Sequence, residues 1–109
     1  MLAAKFILRG EKNFAKIKEG GKRVKLSDLG VSFIKRTGPS LFGFIVPNKI
    51  SKIAVERNKI KRAMKDSVRE ALPEIKDGIT AVFVAYPSAR MRTSKELAEE
   101  TKEAIKSLL

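Results

Sequence analysis

Residues 41–71, LFGFIVPNKISKIAVERNKIKRAMKDSVREA, contain the strand and the helix on which the fold of this chain depends. The run Leu41–Val46 is rich in aromatic and β-branched residues, which favours a strand. Pro47 ends this strand because proline has no N–H to donate to a neighbouring strand. The stretch over about 54–71 has apolar residues at helical spacing, and Pro73 stops the helix. This block predicts a helix that follows a strand and packs against its sheet.

Three further strand candidates complete the predicted sheet. Val31–Ile34 is β-rich, and the turn residues 37–40 separate it from the strand Leu41–Val46. Arg23–Leu26 is a shorter candidate. Ile79–Ala85 is a continuous apolar run, which is typical of a central strand buried on both faces.

Two further helices are predicted, one near each end of the chain. The first is short, over about 11–19, and Gly20-Gly21 is expected to end it in the left-handed conformation that glycine accepts. The last begins at Thr93, where Glu96 three residues later gives the pattern of a capping box. The order α-β-β-β-α-β-α predicts one α+β domain over residues 1–109, with helices packed against a mainly antiparallel sheet.

The net charge is the most informative bulk property. The chain carries a formal charge of +12, and residues 1–69 hold 18 basic and 5 acidic side chains against 6 and 7 in residues 70–109. Such a surplus of cations favours a polyanionic partner, either nucleic acid or an anionic membrane surface. No apolar run approaches the roughly 20 residues of a membrane span. The chain has no cysteine, which excludes disulfides and thiolate metal sites and suits a cytoplasmic protein.

The central helix is predicted to have three chemically different sides. Its apolar side, which packs on the sheet, consists of Ile60, Ala63, Met64, Val68 and Ala71. Its second side is basic and consists of Asn58, Lys61, Arg62, Lys65 and Arg69. The third side carries Glu56, Asp66 and Glu70, with Lys59 among them.

The basic side could be an ordinary solvated surface, on which acids normally lie three or four residues from the bases. Asp66 has that spacing from Arg62 and Arg69, but Lys61 and Lys65 have no acid there. Cations left this close to one another favour an anionic ligand, so binding of RNA or DNA is the preferred interpretation. A membrane-lying helix is disfavoured because its apolar side would need bulkier residues.

Three segments resemble the protein component of bacterial ribonuclease P. They are FGFIVPNK at 42–49, ERNKIKR at 56–62 and the later pair Arg69-Glu70. The resemblance extends more weakly over nearly the whole chain. It implies an αβββαβα two-layer sandwich with a left-handed βαβ crossover around the central helix, the opposite hand to the usual rule.

The resemblance also implies a function. Members of the family bind a catalytic RNA, which uses Mg²⁺ to cleave the 5′ leader from precursor tRNA. The expected partners are therefore ribonuclease P RNA and precursor tRNA, with no membrane, no obligate protein partner, no cofactor bound by the protein and no active site of its own.

Together, the helical wheel and the resemblance give two sets of candidate residues. The RNA-binding set is Arg57, Asn58, Lys59, Lys61, Arg62, Lys65 and Arg69. A cleft between the first helix and the sheet is expected to hold the single-stranded leader, with the candidates Phe14, Lys18, Phe33, Ile45, Lys49 and Lys52.

Several aromatic residues have two interpretations. Phe42 and Phe44 share one side of their strand and are expected in the core, whereas the side with Gly43 and Ile45 is a candidate cleft floor. Phe14 and Phe33 could serve either role.

Three positions depart from the family pattern. Lys59 replaces an arginine and loses the planar group that binds phosphate through two donors, and Asn48 replaces a lysine. Lys18 stands where many members have a second aromatic, so leader binding is expected to depend more on charge.

An enzyme with its own active site is the least favoured alternative. The chain has no histidine and no cysteine, which removes the commonest general base and the best nucleophile. The acids of the last helix alternate with lysines and are interpreted as a solvated surface: Glu96, Glu99, Glu100 and Glu103. A different RNA-binding protein, for instance one bound to ribosomal RNA, remains the second alternative.

Overall fold

The computed structural model describes residues 2–8, 17, 20–75 and 78–109, and the statements below concern these residues. Four strands are present: β1 (Lys22–Lys25), β2 (Leu29–Lys35), β3 (Leu41–Ile45) and β4 (Ile79–Ala85). Two long helices follow β3 and β4, namely α1 (Ala54–Ala71) and α2 (Ser94–Lys106). Short 3₁₀ turns lie at Ala4–Phe6, Leu72–Glu74 and Pro87–Met91. The helix predicted over 11–19 lies outside the described residues, apart from Ile17.

The strands form one mixed sheet in the order β1-β2-β4-β3. The β1/β2 and β2/β4 pairs are antiparallel, and the β3/β4 pair is parallel. This arrangement confirms the α+β class and the mainly antiparallel sheet, and it confirms β4 as an interior strand. Helix α1 connects the parallel neighbours β3 and β4, and it is around this βαβ unit that the resemblance implies a left-handed crossover.

One face of the sheet is covered by both helices and forms the main core. Phe42 and Phe83 are fully buried there, and the Phe83 ring stacks on Phe44 with centroids 5.6 Å apart. Helix α1 contributes Met64 and Val68, as its predicted apolar side requires, and α2 contributes Leu97. Burial of side chains of this size stabilises the layer by about 1.5–3 kcal/mol each.

Ser67 is a polar residue on the buried side of α1 that the helical wheel did not predict. Its hydroxyl donates to the Ala63 carbonyl at 2.9 Å and to the Ala98 carbonyl of α2 at 3.3 Å. A buried hydroxyl is tolerated when it is hydrogen-bonded, and here the small side chain lets α1 and α2 pack closely.

The start of α2 confirms the predicted capping box. The Glu96 N–H donates to Thr93 Oγ1 at 3.1 Å, and the Thr93 N–H donates to Glu96 Oε1 at 3.0 Å. Two backbone donors at the first turn are thereby satisfied.

The interpretation of Gly20-Gly21 as a left-handed helix end is wrong. Gly20 is helical, the Gly21 N–H donates to the Ile17 carbonyl at 3.0 Å, and neither glycine has a positive φ. A Cβ at Gly21 would lie 2.5 Å from the Phe33 carbonyl oxygen. Glycine is needed there because the helix end approaches β2 closely.

The other face of the sheet is not contacted by α1 or α2 and is for that reason called the open face below, although part of it is buried in a smaller apolar cluster. Leu8, Ile17 and Val82 are buried in it. The half-buried side chains around them are Ile34, Leu41, Ile45 and Val84.

In the described part of the chain, no helix is long and apolar enough to cross a membrane.

Candidate RNA-binding surfaces

The second side of α1 is called the basic face and comprises Asn58, Lys61, Arg62, Lys65 and Arg69. Arg62 and Arg69 are exposed, and Lys61 and Lys65 are half-buried with solvent access. Among the described residues, none of these four cations takes part in an ion pair. The face therefore presents uncompensated positive charge over about three helical turns.

Two of the three acids of α1 are engaged away from the basic face. Glu56 pairs with Arg90 at 3.4 Å, and Glu70 pairs with Lys102 of α2 at 3.3 Å. These two acids are thus drawn toward cations of other elements. Asp66, the third acid of α1, lies beside the basic face without forming an ion pair among the described residues, so that face keeps a net positive charge. A surface of this kind binds phosphates at low energetic cost, because no internal ion pair must first be broken.

Arg57 has a structural contact as well as a charge. Its guanidinium donates from Nη1 to the Ser51 carbonyl at 2.8 Å, and the Ser51 hydroxyl donates to Glu56 and accepts from the Ile53 N–H at 3.1 Å. Arg57 therefore orders the loop between β3 and α1. Lys59 is exposed on the acidic side of the helix, turned away from the basic face.

Residues 2–8, in the segment before β1, form a wall beside the basic face. Ile7 pairs in parallel with Phe42, and the Leu8 N–H donates to the Phe42 carbonyl at 2.8 Å. These contacts cover part of the outer edge of β3, which is an edge strand of the sheet. Between this segment and α1 lies a groove of about 360 Å³. Its lining is Leu2, Ile7, Asn58, Lys61, Arg62, Lys65 and Asp66.

The predicted leader-cleft residues are only partly brought together. Ile45 lies on the open face, as predicted, and Lys49 and Lys52 are exposed in the loop between β3 and α1. Phe14 and Lys18 lie outside the described residues.

The assignment of Phe33 to the cleft is wrong. Phe33 is 7% exposed and is in register with Ala81, which is paired in turn with Phe42. All three side chains point into the main core, because side chains alternate between the two faces of a sheet. Ser32 is the β2 residue that points to the open face beside Val82.

Tyr86 is an open-face residue that the sequence interpretation missed. Its hydroxyl lies over Gly30, where an added Cβ would come within 2.3 Å of the oxygen. Lys25 Nζ lies 5.5 Å from the ring centroid, and a hollow of about 150 Å³ beside the ring is also lined by Arg23 and Val84. The available signal was Gly30 inside a strand, since such a glycine often marks the close approach of another group.

The exposed side of α2 carries both acids and lysines, and two of its acids are held by neighbouring groups. The Asp28 N–H donates to Glu100 Oε2 at 2.9 Å, and Arg92 pairs with Asp28 at 3.0 Å and with Glu96 at 3.5 Å. Burial raises the pKa of the Asp28 carboxyl, but hydrogen bonds from Ser88 and Arg92 and the Arg92 charge bring it below its ordinary value. Burial raises the pKa of Glu100.

The same end of the molecule offers no evident metal site. Within the described ranges, no three acidic, histidine or cysteine side chains are grouped to hold a metal ion.

The family model for Ribonuclease P matches residues 2–109. This chain belongs to the ribonuclease P protein family. The ribonuclease P protein component of a Pseudanabaena species is 31% identical over 100 residues, which cover 90% of this chain and 86% of that protein. The role in tRNA 5′ processing as part of an endoribonuclease that the resemblance implied is thereby supported.

Solved structures of ribonuclease P proteins share the fold. The RNase P protein of Staphylococcus aureus superposes with a TM-score of 0.82 at 21% identity, covering 94% of each chain. That of Thermotoga maritima gives 0.76 at 24% identity over 93% of each chain. At these identities the likeness concerns the fold, and the assignment of individual residues depends on the geometry described above.

Proposed function

We propose that this ribonuclease P protein binds the catalytic RNA through the basic face of α1 and the 5′ leader of precursor tRNA across the open face of the sheet. The two surfaces lie on different elements, so one protein molecule can contact both RNAs at once. The protein would thereby assist endonucleolytic removal of the leader, which gives the mature 5′ end.

One observation carries the assignment of the basic face. Lys61, Arg62, Lys65 and Arg69 make no ion pair in the described part of the chain, whereas Glu56 and Glu70 of the same helix each have a cation from elsewhere. Like charges on one helix side repel each other mildly. A polyanion removes that repulsion and releases its own counterions on binding.

The leader assignment is supported by the chemistry of the open face. Ile45 and Val84 provide half-buried apolar surface, and Tyr86 provides an aromatic ring next to Lys25. Unpaired bases pack on such rings, and cations contact the backbone between them. Tyr86 would supply stacking that Lys18, at the usual aromatic position, cannot.

The chemical step is assigned to the RNA subunit and its Mg²⁺ rather than to the protein. The protein's contribution would be to hold substrate and catalyst together, in the cytoplasm where tRNA is processed. Lowering the electrostatic repulsion between the two RNAs would reduce the Mg²⁺ concentration that the reaction needs.

A reconstitution assay tests the proposal. Precursor tRNA is incubated with a bacterial ribonuclease P RNA at low Mg²⁺, with and without this protein. Stimulated cleavage at the mature 5′ end is expected. Binding without stimulation would instead indicate a different RNA-binding protein, and cleavage by the protein alone would indicate an enzyme with its own active site.

A salt titration tests the basic face separately. If this face neutralises about five phosphates, the logarithm of the affinity should fall with log salt at a slope of roughly −3.5 to −4.5. Lys61→Ala with Lys65→Ala should flatten that slope by about one to two units. The matched control, Lys95→Ala with Lys106→Ala, removes the same charge from exposed positions on α2. If both pairs change the slope equally, the RNA is not bound on α1.

A further inference from the structure

The groove beside the basic face combines two kinds of wall. One wall is apolar and is formed by Leu2 and Ile7 of the segment before β1. The other is a helix side that carries the Asn58 amide, three cations and one carboxylate. The volume of about 360 Å³ lies at the small end of the range, roughly 300–1,000 Å³, that protein pockets use for organic ligands.

The apolar wall is held in place at three points. Leu2 is 3% exposed and belongs to the main core, and Leu8 is buried in the open-face cluster. Between them, Ile7 pairs with Phe42 of β3. Because the segment is anchored in both clusters, the groove is preformed, and a ligand would not have to order it first.

The lining favours a ligand with an apolar part and an anionic part. Lys61, Arg62 and Lys65 supply positive charge, and the Asn58 amide can both donate and accept hydrogen bonds. Asp66 is the acid of this lining. It would repel a phosphate placed next to it and accept a hydrogen bond from a ribose 2′-hydroxyl or a base amino group.

We propose that this groove binds one unpaired nucleotide of the ribonuclease P RNA. The base lies against Leu2 and Ile7, its edge faces Asn58, and its phosphate lies among Lys61, Arg62 and Lys65. This inference rests on the proposed function, because the RNA reaches the groove only if it is bound by the basic face. It adds recognition of a single unstacked base to what would otherwise be contact with phosphates alone.

Two substitutions close or weaken the groove without removing charge. Ile7→Trp fills the space, and Asn58→Ala removes the polar group that faces the base from an exposed position. Affinity for ribonuclease P RNA should fall about tenfold for Ile7→Trp, as expected when a base loses its apolar contact with the groove wall, and about threefold for Asn58→Ala. The salt slope should stay within about half a unit of the wild-type slope, because no cation is lost.

The matched control is Val55→Ala, an uncharged change on the same helix at a site that is 76% exposed and outside the groove lining. It should bind RNA like the wild type. Thermal unfolding of each variant shows whether it is folded, and Asn58→Ala keeps the test valid if Ile7→Trp does not fold.

Chemical probing of the RNA identifies the base directly. Dimethyl sulfate and a carbodiimide together report on unpaired bases of all four kinds. At least one unpaired base should be protected by the wild-type protein and reactive again with Ile7→Trp, while the rest of the footprint is unchanged. If both groove variants bind within twofold of the wild type and give its footprint, the proposal is wrong.

The same measurements distinguish failure of RNA binding from failure of base binding in the groove. If wild-type protein neither binds the RNA subunit nor stimulates cleavage, the proposed function fails. If binding, stimulation and the effect of the Lys61 and Lys65 changes are all observed but the groove variants behave like the wild type, the groove assignment alone fails. A loss of affinity for precursor tRNA instead of the RNA subunit would overturn the choice of occupant.

Discussion

Helices α1 and α2 lie side by side on the same face of the sheet, yet their exposed sides differ. On α1 the cations of the basic face make no ion pair with any described residue, and two of the three acids of the helix, Glu56 and Glu70, contact Arg90 and Lys102. On α2 the acids alternate with lysines, Glu96 completes the capping box, and Glu100 accepts from the Asp28 N–H.

This difference is the basis on which α1, and not α2, is proposed as the surface that binds RNA. From their sequences alone, both helices would be described as amphipathic and rich in charged residues. What separates them is the balance of charge on the exposed side. Lysines lie among acids on α2, whereas four cations lie together on α1, and such a surplus of one sign lowers its energy by binding counter-charge.

The buried sides of the two helices should behave alike. Met64→Ala in α1 and Leu97→Ala in α2 each remove a fully buried side chain and should each lower the free energy of unfolding by about 2–5 kcal/mol. Urea unfolding followed by circular dichroism measures the loss. Met91→Ala, at an 84% exposed position, should change it by less than about 0.5 kcal/mol. A small loss at either buried site would mean that the helix does not pack as described.

The exposed sides should behave differently. Lys61→Glu with Lys65→Glu on α1 should weaken binding to ribonuclease P RNA by about 100-fold at low salt, because two attractive charges become repulsive. Lys95→Glu with Lys106→Glu makes the same change on α2 and should weaken it by less than about fivefold. Filter binding at fixed salt measures both. Comparable losses would show that net charge, and not the basic face, determines affinity.

Much of this contrast could be predicted from the sequence. The spacing of Ile60, Met64 and Val68 determines which side of α1 is buried, and the basic side follows from it at 100° per residue. Strand Ile79–Ala85 and the Thr93 cap were also recognisable, because each depends on residues close together in the chain.

The remaining features depend on contacts between distant residues. Phe33 faces the core because it is in register with Ala81, and the residues near Phe33 in the sequence do not predict this register. Tyr86 reaches the open face only because Gly30 leaves room for its hydroxyl across the paired strands. The groove beside α1 likewise needs Leu2 and Ile7, which are more than 50 residues from Asn58 in the chain. The periodicity of apolar residues does not predict contacts between residues so far apart in the chain.

The starts of the two helices give a smaller contrast. Thr93 caps α2, whereas Ile53 at the start of α1 forms no side-chain cap and is 54% exposed in an extended conformation. Thr93→Ala should lower the free energy of unfolding by about 1 kcal/mol, and Ile53→Ser should raise it by up to about 1 kcal/mol. Thermal unfolding midpoints should therefore move in opposite directions. A loss at both sites would mean that Ile53 has a packing role that its exposure does not suggest.

The smallest effect concerns the compensated charges at the α2 end. Because the folded-state pKa of Asp28 is lowered, ionised Asp28 stabilises the fold above its unfolded-state pKa of about 3.9, and this stabilisation is lost as the pH falls through the folded-state value. The raised pKa of Glu100 acts in the opposite sense, since its ionisation costs stability and its protonation restores it. Asp28→Asn should therefore be less stable than the wild type at pH 7, and the difference should shrink toward pH 3.

Urea unfolding of both proteins across that pH range measures the difference. Glu99→Gln, a change at an exposed acid of the same helix, is the control and should show little pH-dependent change. A constant gap between Asp28→Asn and the wild type would mean that Asp28 acts through packing, and that the α2 end is not held by charge. In that case ionised side chains would matter for the basic face of α1 but not for the stability of the α2 end.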